Sequence, residues 1–172
     1  MKELDLKTKQ ELEEIYQTFF NNPLIQKMKE IPMHRGSNCF IHSFKVAKYA
    51  ISIAIKRKDY HLKSILIACI LHDYYLYDWR KDHEKKKKHG RRHPFIAEAN
   101  ARRDFHIDTE VSEIIKSHMW PLTLKSFPKT KEAKLVNHSD NVIATREFLT
   151  CKNYKKKKEQ QYLKDIEKLF DE

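Results

Sequence analysis

The stretch Ile65-Leu66-Ile67-Ala68-Cys69-Ile70-Leu71-His72-Asp73-Tyr74-Tyr75-Leu76-Tyr77-Asp78-Trp79 decides how the rest of the chain is read. Seven consecutive apolar residues, Ile65 to Leu71, leave no polar face and read as a segment buried on every side. They carry an adjacent imidazole and carboxylate, His72 and Asp73, straight out of that dry interior. Burying such a pair is costly unless it has partners. It is either a hydrogen-bonded structural pair or two ligands of one metal ion held rigidly from behind. Taken alone the dipeptide favours the structural pair; the other histidines of the chain reverse that.

The 172 residues suit one domain spanning 1–172, with enough length to bury a core without disulfides or structural metal. Gly36 and Gly90 are the two glycines, while Lys, Glu, Leu, Ile and Ala are plentiful, so helix is favoured over sheet. Glycine-rich phosphate loops of the dinucleotide or Walker type are excluded by the same count. Cys39, Cys69 and Cys151 are odd in number and lack C-x-x-C spacing, which suits reduced thiols and a cytoplasmic protein. No apolar leader follows Met1 and nowhere do eighteen apolar residues run together, so neither secretion nor a membrane partner is expected. The formal charge of +11 attracts polyanions, with eight Lys and Arg between Arg80 and Arg92 and a run Lys155 to Lys158. The C-terminal run reads first as a solvated face.

Apolar periodicity predicts a helix over 4–20, ended by Asn21-Asn22-Pro23, and a short one over 24–30. Phe40, Phe44, Ala47, Ile51, Ala54 and Ile55 predict a helix reaching about Lys58, with His42 in its first turn. The central helix is expected over 61–76, and the basic segment 80–92 as an exposed loop. Pro94 suits the first turn of a helix over 95–105, with His93 just before it. Asp108 or Thr109 can cap a helix over 111–119 that ends with His118 before Pro121. Helices over 131–149, carrying Asp140 in its middle, and over 156–170 complete an all-α bundle of seven to eight helices.

His42, His72, Asp73, His93, His118 and Asp140 therefore fall on five successive predicted helices, beside apolar stripes rather than in charge runs. One histidine near a core is usually a satisfied buried histidine. Four of them with two carboxylates form a costly set unless they share a purpose. Mixed imidazole and carboxylate donors suit Fe, Mn, Zn or Co, and the absence of a thiolate cluster argues against a structural zinc knuckle.

The order H…HD…D, with His42 in "IHSFKVAKYA", His72-Asp73 in "ACILHDYYLYDW" and Asp140 in "VNHSDNVIATREF", resembles the HD superfamily of metal-dependent phosphohydrolases over roughly residues 38–149. His93-Pro94 and His118 resemble the extra histidines of members with a binuclear centre, including the cyclic-dinucleotide phosphodiesterase and symmetrical diadenosine-tetraphosphate hydrolase branches. The resemblance implies that His42, His72, Asp73 and Asp140 hold one ion, that His93 and His118 hold a second, and that Asp73 bridges them. It implies two divalent ions, Fe or Mn foremost with Zn, Co or Mg as alternatives. The chain lacks the Gly-Tyr-Pro segment of the cyclic-dinucleotide branch, and Met119 follows His118 where that branch has another His. A nucleotidase-like branch has an acidic residue three after the HD aspartate, where this chain has Leu76.

Paired ions suit phosphate ester hydrolysis because they generate a nucleophile from water and clamp the phosphoryl oxygens. Cations must then stabilise the equatorial charge. Lys45, one turn beyond His42, is the first choice, with Arg35, His89, Arg91 and Arg92 as further contacts to a small phosphorylated substrate, a nucleotide above all. Each reads equally well as a solvated surface cation, and Arg91 and Arg92 read more readily so. Asp78 is a candidate general base or leaving-group acid, or equally a helix-terminal cap or salt-bridge partner. Trp79 and Trp120 can stack on a base or sugar, although an aromatic beside a helix end more often joins the core. His34, His61, His83, His106 and His138 read as surface or capping residues. Two other classes compete: a di-iron oxygenase of the same fold, and a basic nucleic-acid-binding module without turnover.

Overall fold

The computed structural model of the protein describes residues 4–33, 37–57, 59–81 and 83–149, the last with backbone only over 83–86. Arg35, the Lys155 to Lys158 run and the helix expected over 156–170 lie outside the described residues. Among those described there are seven α-helices and a 3₁₀ turn, Lys27–Glu30; the one β-type contact is an isolated bridge between Pro32 and Asn38. The fold is all-α. The helices are α1 Leu6–Phe20, α2 Pro23–Gln26, α3 Cys39–Ala54, α4 Leu62–Leu71, α5 His83–Phe105, α6 Thr109–Ser117 and α7 Lys131–Leu149.

Two helices make the centre. α3 starts where the Asn38 side chain accepts the Ile41 N–H, and its buried residues include every position from Cys39 to Ala47. α4 is the apolar run, whose burial on all sides follows from its lack of a polar face. α3 packs on α4 and α7; α4 also meets α1 and α6, and α5 lies against α6. α1 is capped by Asp5, which accepts from the Thr8 N–H at 3.0 Å and its hydroxyl at 2.6 Å, and turns Leu12 and Tyr16 inward.

An aromatic knot joins α1 to α3. Phe44 lies 4.6 Å from Phe40, 5.3 Å edge-on from Tyr16 and 5.6 Å edge-on from Phe20 between ring centroids. Phe44 is fully buried, so Phe44→Ala should cost about 3–5 kcal/mol, read as a lowered urea midpoint at unchanged slope. A loss below about 1 kcal/mol would mean the knot is not part of the folded core.

Three boundaries differ from the sequence expectations. α3 ends at Ala54, short of Lys58. α4 ends at Leu71 rather than Leu76, because tertiary bonds compete with helix continuation: the Tyr74 carbonyl accepts from Asn100 Nδ2 and the Tyr74 hydroxyl donates to Asp104. Leu76, at φ 55°, then turns the chain through the left-handed region, which a branched side chain tolerates only under tertiary constraint. The segment expected as a loop is also helical from His83, so Pro94 sits inside α5 instead of opening it. Lys and Glu favour helix there, and the residue one turn before Pro94 is Gly90, which packs against Leu122 so closely that a Cβ would lie 2.8 Å from Leu122 Cδ2.

A second group of potential ligands, His61, Glu110 and Glu132, gathers within 4.8 Å. Glu110 and Glu132 lie in the first turns of α6 and α7, facing the start of α4. There Glu132 accepts the His61 N–H and Glu110 pairs with His61 Nδ1 and the Ser64 hydroxyl. Three helix N-termini carry positive partial charge, so these carboxylates are engaged in serving the helix ends. No helix of the described residues is long and apolar enough to cross a membrane.

Candidate metal centre

The six residues singled out from the sequence converge from five helices. His42 comes from the first turn of α3, His72 and Asp73 from the end of α4, His93 from the middle of α5, His118 from the end of α6 and Asp140 from the middle of α7. All six are buried.

Four hydrogen bonds orient the imidazoles. His72 Nδ1 faces the Cys69 carbonyl at 2.7 Å and His118 Nδ1 the Ile115 carbonyl at 2.7 Å, each three residues back at a helix C-terminus. His93 Nδ1 faces the His89 carbonyl at 3.0 Å, and His42 Nδ1 faces Glu147 Oε2 at 2.9 Å. Oxygens of this kind only accept, so Nδ1 carries the hydrogen and Nε2 is the bare nitrogen of the neutral ring.

The bare nitrogens meet around Asp73. Its Oδ2 lies 3.3 Å from His72 Nε2 and 3.8 Å from His42 Nε2, while its Oδ1 lies 3.3 Å from His93 Nε2 and 3.9 Å from His118 Nε2. Asp140 Oδ1 closes the first side, 2.9 Å from His42 Nε2 and 3.7 Å from His72 Nε2. His42, His72 and Asp140, and again His72, Asp73 and His118, offer ligand atoms within 4.8 Å of one another.

Two contacts test whether cations fit this donor set. His72 Nε2 is buried without a hydrogen-bond partner. His93 Nε2 and His118 Nε2 are 2.9 Å apart, and with both hydrogens on Nδ1 this sets lone pair against lone pair. A proton or a metal ion relieves either contact, and oxygen and imidazole donors suit Fe, Mn, Zn and Co.

The electrostatics favour cations as well. Burial would raise both aspartates, but His72 and His93 around Asp73, and His42 and His72 around Asp140, hold the carboxyls well below their usual range. Burial, then the neighbouring His72 and His93, pushes His118 down to about 3, so it stays a neutral donor. Burial also presses His42 down, yet its bonds to Asp140 and Glu147 prevail and hold its imidazolium up to about 9 without metal. A group raised from 6.5 stabilises the metal-free fold fully below that pH and loses the contribution as pH rises through about 9. Burial presses His72 down too, yet Asp73 and Asp140 prevail and hold its imidazolium well above the usual range. A cation must displace the protons of both rings, so metal affinity should rise by at least about tenfold per pH unit between pH 7 and about 9. Calorimetric titration in buffers of different ionisation enthalpy should detect the released protons; a buffer-independent heat would contradict it.

The remaining candidates fare differently. Lys45 is buried, with Nζ 2.6 Å from Glu147 Oε1. His89 stacks between Trp79, at 5.1 Å, and His93, at 4.6 Å, and bonds the Tyr77 hydroxyl through Nδ1; burial and His93 hold it down to about 4. Arg91 and Arg92 are exposed on α5, immediately before His93. Asp78 accepts the Arg80 N–H and faces Lys81 at 3.9 Å. Half-buried Trp120 packs edge-on against Phe127. Arg35 is not among the described residues.

Glu147 escaped the sequence reading. It is buried, bonds His42, Lys45 and Ser37, and burial opposed by His42 and Lys45 leaves it at about 2. Its spacing of seven residues from Asp140, two turns along one helix face, is the signal that could have found it. Asn137, three before Asp140, likewise ties α7 to the site by donating to the His118 and Trp120 carbonyls.

No curated protein and no solved structure gives a match to this sequence. The HD domain family model matches residues 39–145, more than half of the chain and all six residues of the centre. This chain belongs to the HD domain family.

Proposed function

We propose that the protein is a phosphohydrolase that binds two divalent ions across Asp73 and cleaves a phosphate ester or anhydride of a nucleotide or small phosphorylated metabolite. The observation that carries this reading is the division of Asp73: Oδ2 faces His42 and His72, and Oδ1 faces His93 and His118. His42, His72 and Asp140 would hold one ion with Oδ2, and His93 and His118 the other with Oδ1. Ions bound there supply Lewis acidity toward a phosphoryl oxygen and lower the pKa of water.

The chain's own side chains do the rest. Burial of all six donors keeps bulk water from competing for them. The anchored Nδ1 atoms fix each ring so that no reorganisation is needed when charge develops. Arg91 and Arg92, exposed just before His93, would attract an anionic substrate.

The test is phosphate release from a panel of nucleotides, dinucleoside polyphosphates and sugar phosphates by protein loaded separately with Mn²⁺, Fe²⁺, Zn²⁺ or Co²⁺. Metal-dependent release from one substrate class is expected. Metal-loaded protein that releases none from the panel but consumes dioxygen with a substrate would overturn the reading in favour of oxygenation.

A further inference from the structure

We infer that Glu147 makes the two ion positions unequal, strengthening the one that uses His42, and that Lys45 serves this device as a positioning residue instead of contacting substrate phosphate. The inference rests on the metal-centre reading and is independent of the reaction catalysed. His42 is gripped by two carboxylates of one helix: Asp140 Oδ1 lies 2.9 Å from Nε2 and Glu147 Oε2 lies 2.9 Å from Nδ1. The Nδ1 atoms of His72, His93 and His118 lie against neutral backbone carbonyls. An imidazole backed by a carboxylate is the stronger electron donor, so the ion bound through His42 is held more tightly.

The other oxygen of Glu147 is fixed from α3 and the residue before its cap. Oε1 lies 2.6 Å from Lys45 Nζ and 3.2 Å from the Ser37 hydroxyl, and the Lys45 and Glu147 side chains are each 7% exposed. These bonds lock the carboxylate so that Oε2 stays on His42. The short charge-assisted bond ties Nζ to the Glu147 carboxylate, and the burial of both side chains keeps it there. Lys45 therefore acts through Glu147 on His42.

Mn²⁺ titrations of the metal-free protein, followed calorimetrically, test this. Wild type should bind in two steps, and Glu147→Gln should weaken the tighter step by about 10–100-fold while leaving the weaker step within about twofold. If one ion binds, that single step should weaken by the same factor. Lys45→Met should leave the affinity of the Mn²⁺-loaded protein for inorganic phosphate within about twofold, because the phosphate site does not include it. Because either variant leaves a buried charge alone, Lys45→Met/Glu147→Gln removes both and must show the same weakening of the tighter Mn²⁺ step. Unchanged Mn²⁺ affinity in folded Glu147→Gln, or equal weakening of both steps, overturns the role of Glu147. A tenfold loss of phosphate affinity in Lys45→Met overturns the role of Lys45. Failure to find a hydrolysed substrate would refute the proposed reaction and leave these titrations decisive.

Discussion

Asp73→Ala is expected to lose both metal ions and at least about a thousandfold in phosphate release, because its two oxygens face different halves of the donor set. Removing Asp73 strips His72 of the 3.3 Å contact on one side and His93 of the 3.3 Å contact on the other, leaving two separate imidazole groups with the Asp140 carboxylate on the first side alone. Asp73→Asn separates charge from shape: it keeps a carbonyl oxygen for one half while offering the other an amide that cannot act as a ligand. It should retain at most one ion, weakly. Elemental analysis of chelator-free protein, with circular dichroism to confirm the helices, reads both variants. Two ions per folded chain in Asp73→Ala would refute the bridge.

What could be read from the sequence, and what could not, follows from range. The apolar run Ile65 to Leu71 and the stripe through α3 announce the two central helices because burial on all sides leaves a composition signal. The six donors stand out because each is a polar residue beside such a stripe. Glu147 did not, since a glutamate next to Arg146 in a charged stretch looks like surface; only the packing of α7 on α3 brings it to His42 and Lys45. Lys45 was open to misreading for the same reason, as its buried partner lies 102 residues away. Gly90 and Pro94 punctuated the sequence as a loop and a helix start, yet α5 runs through both, and that continuity puts His89 and His93 one turn apart on one face. The early stop of α4 was hidden because it is set by Asn100 and Asp104, contacts that no local pattern encodes.

His118→Ala is expected to retain about one ion of two while losing about a hundredfold or more in turnover, a milder result than Asp73→Ala and the sharper test of two separate positions. The substitution is clean for three reasons. His118 is held neutral chiefly by burial, which pushes it down to about 3, so its removal orphans no charge at neutral pH. The chain around it is anchored by Asn137 Nδ2 on the backbone carbonyls of His118 and Trp120, which alanine preserves. It also relieves the 2.9 Å approach of two bare nitrogens, so the metal-free protein loses little through this contact. Asp140→Ala acts on the opposite half, leaving His42 and His72 without the oxygen that lies 2.9 Å and 3.7 Å from them. It should lose the tighter ion and keep the weaker. The two variants should thus each bind about one Mn²⁺, with different affinities and different spin-resonance spectra, and together with Asp73→Ala they order the centre as one, one and none. Equal metal retention in Asp73→Ala and His118→Ala would reduce it to a single ion held by His42, His72 and Asp140, with His93 and His118 turned to the substrate.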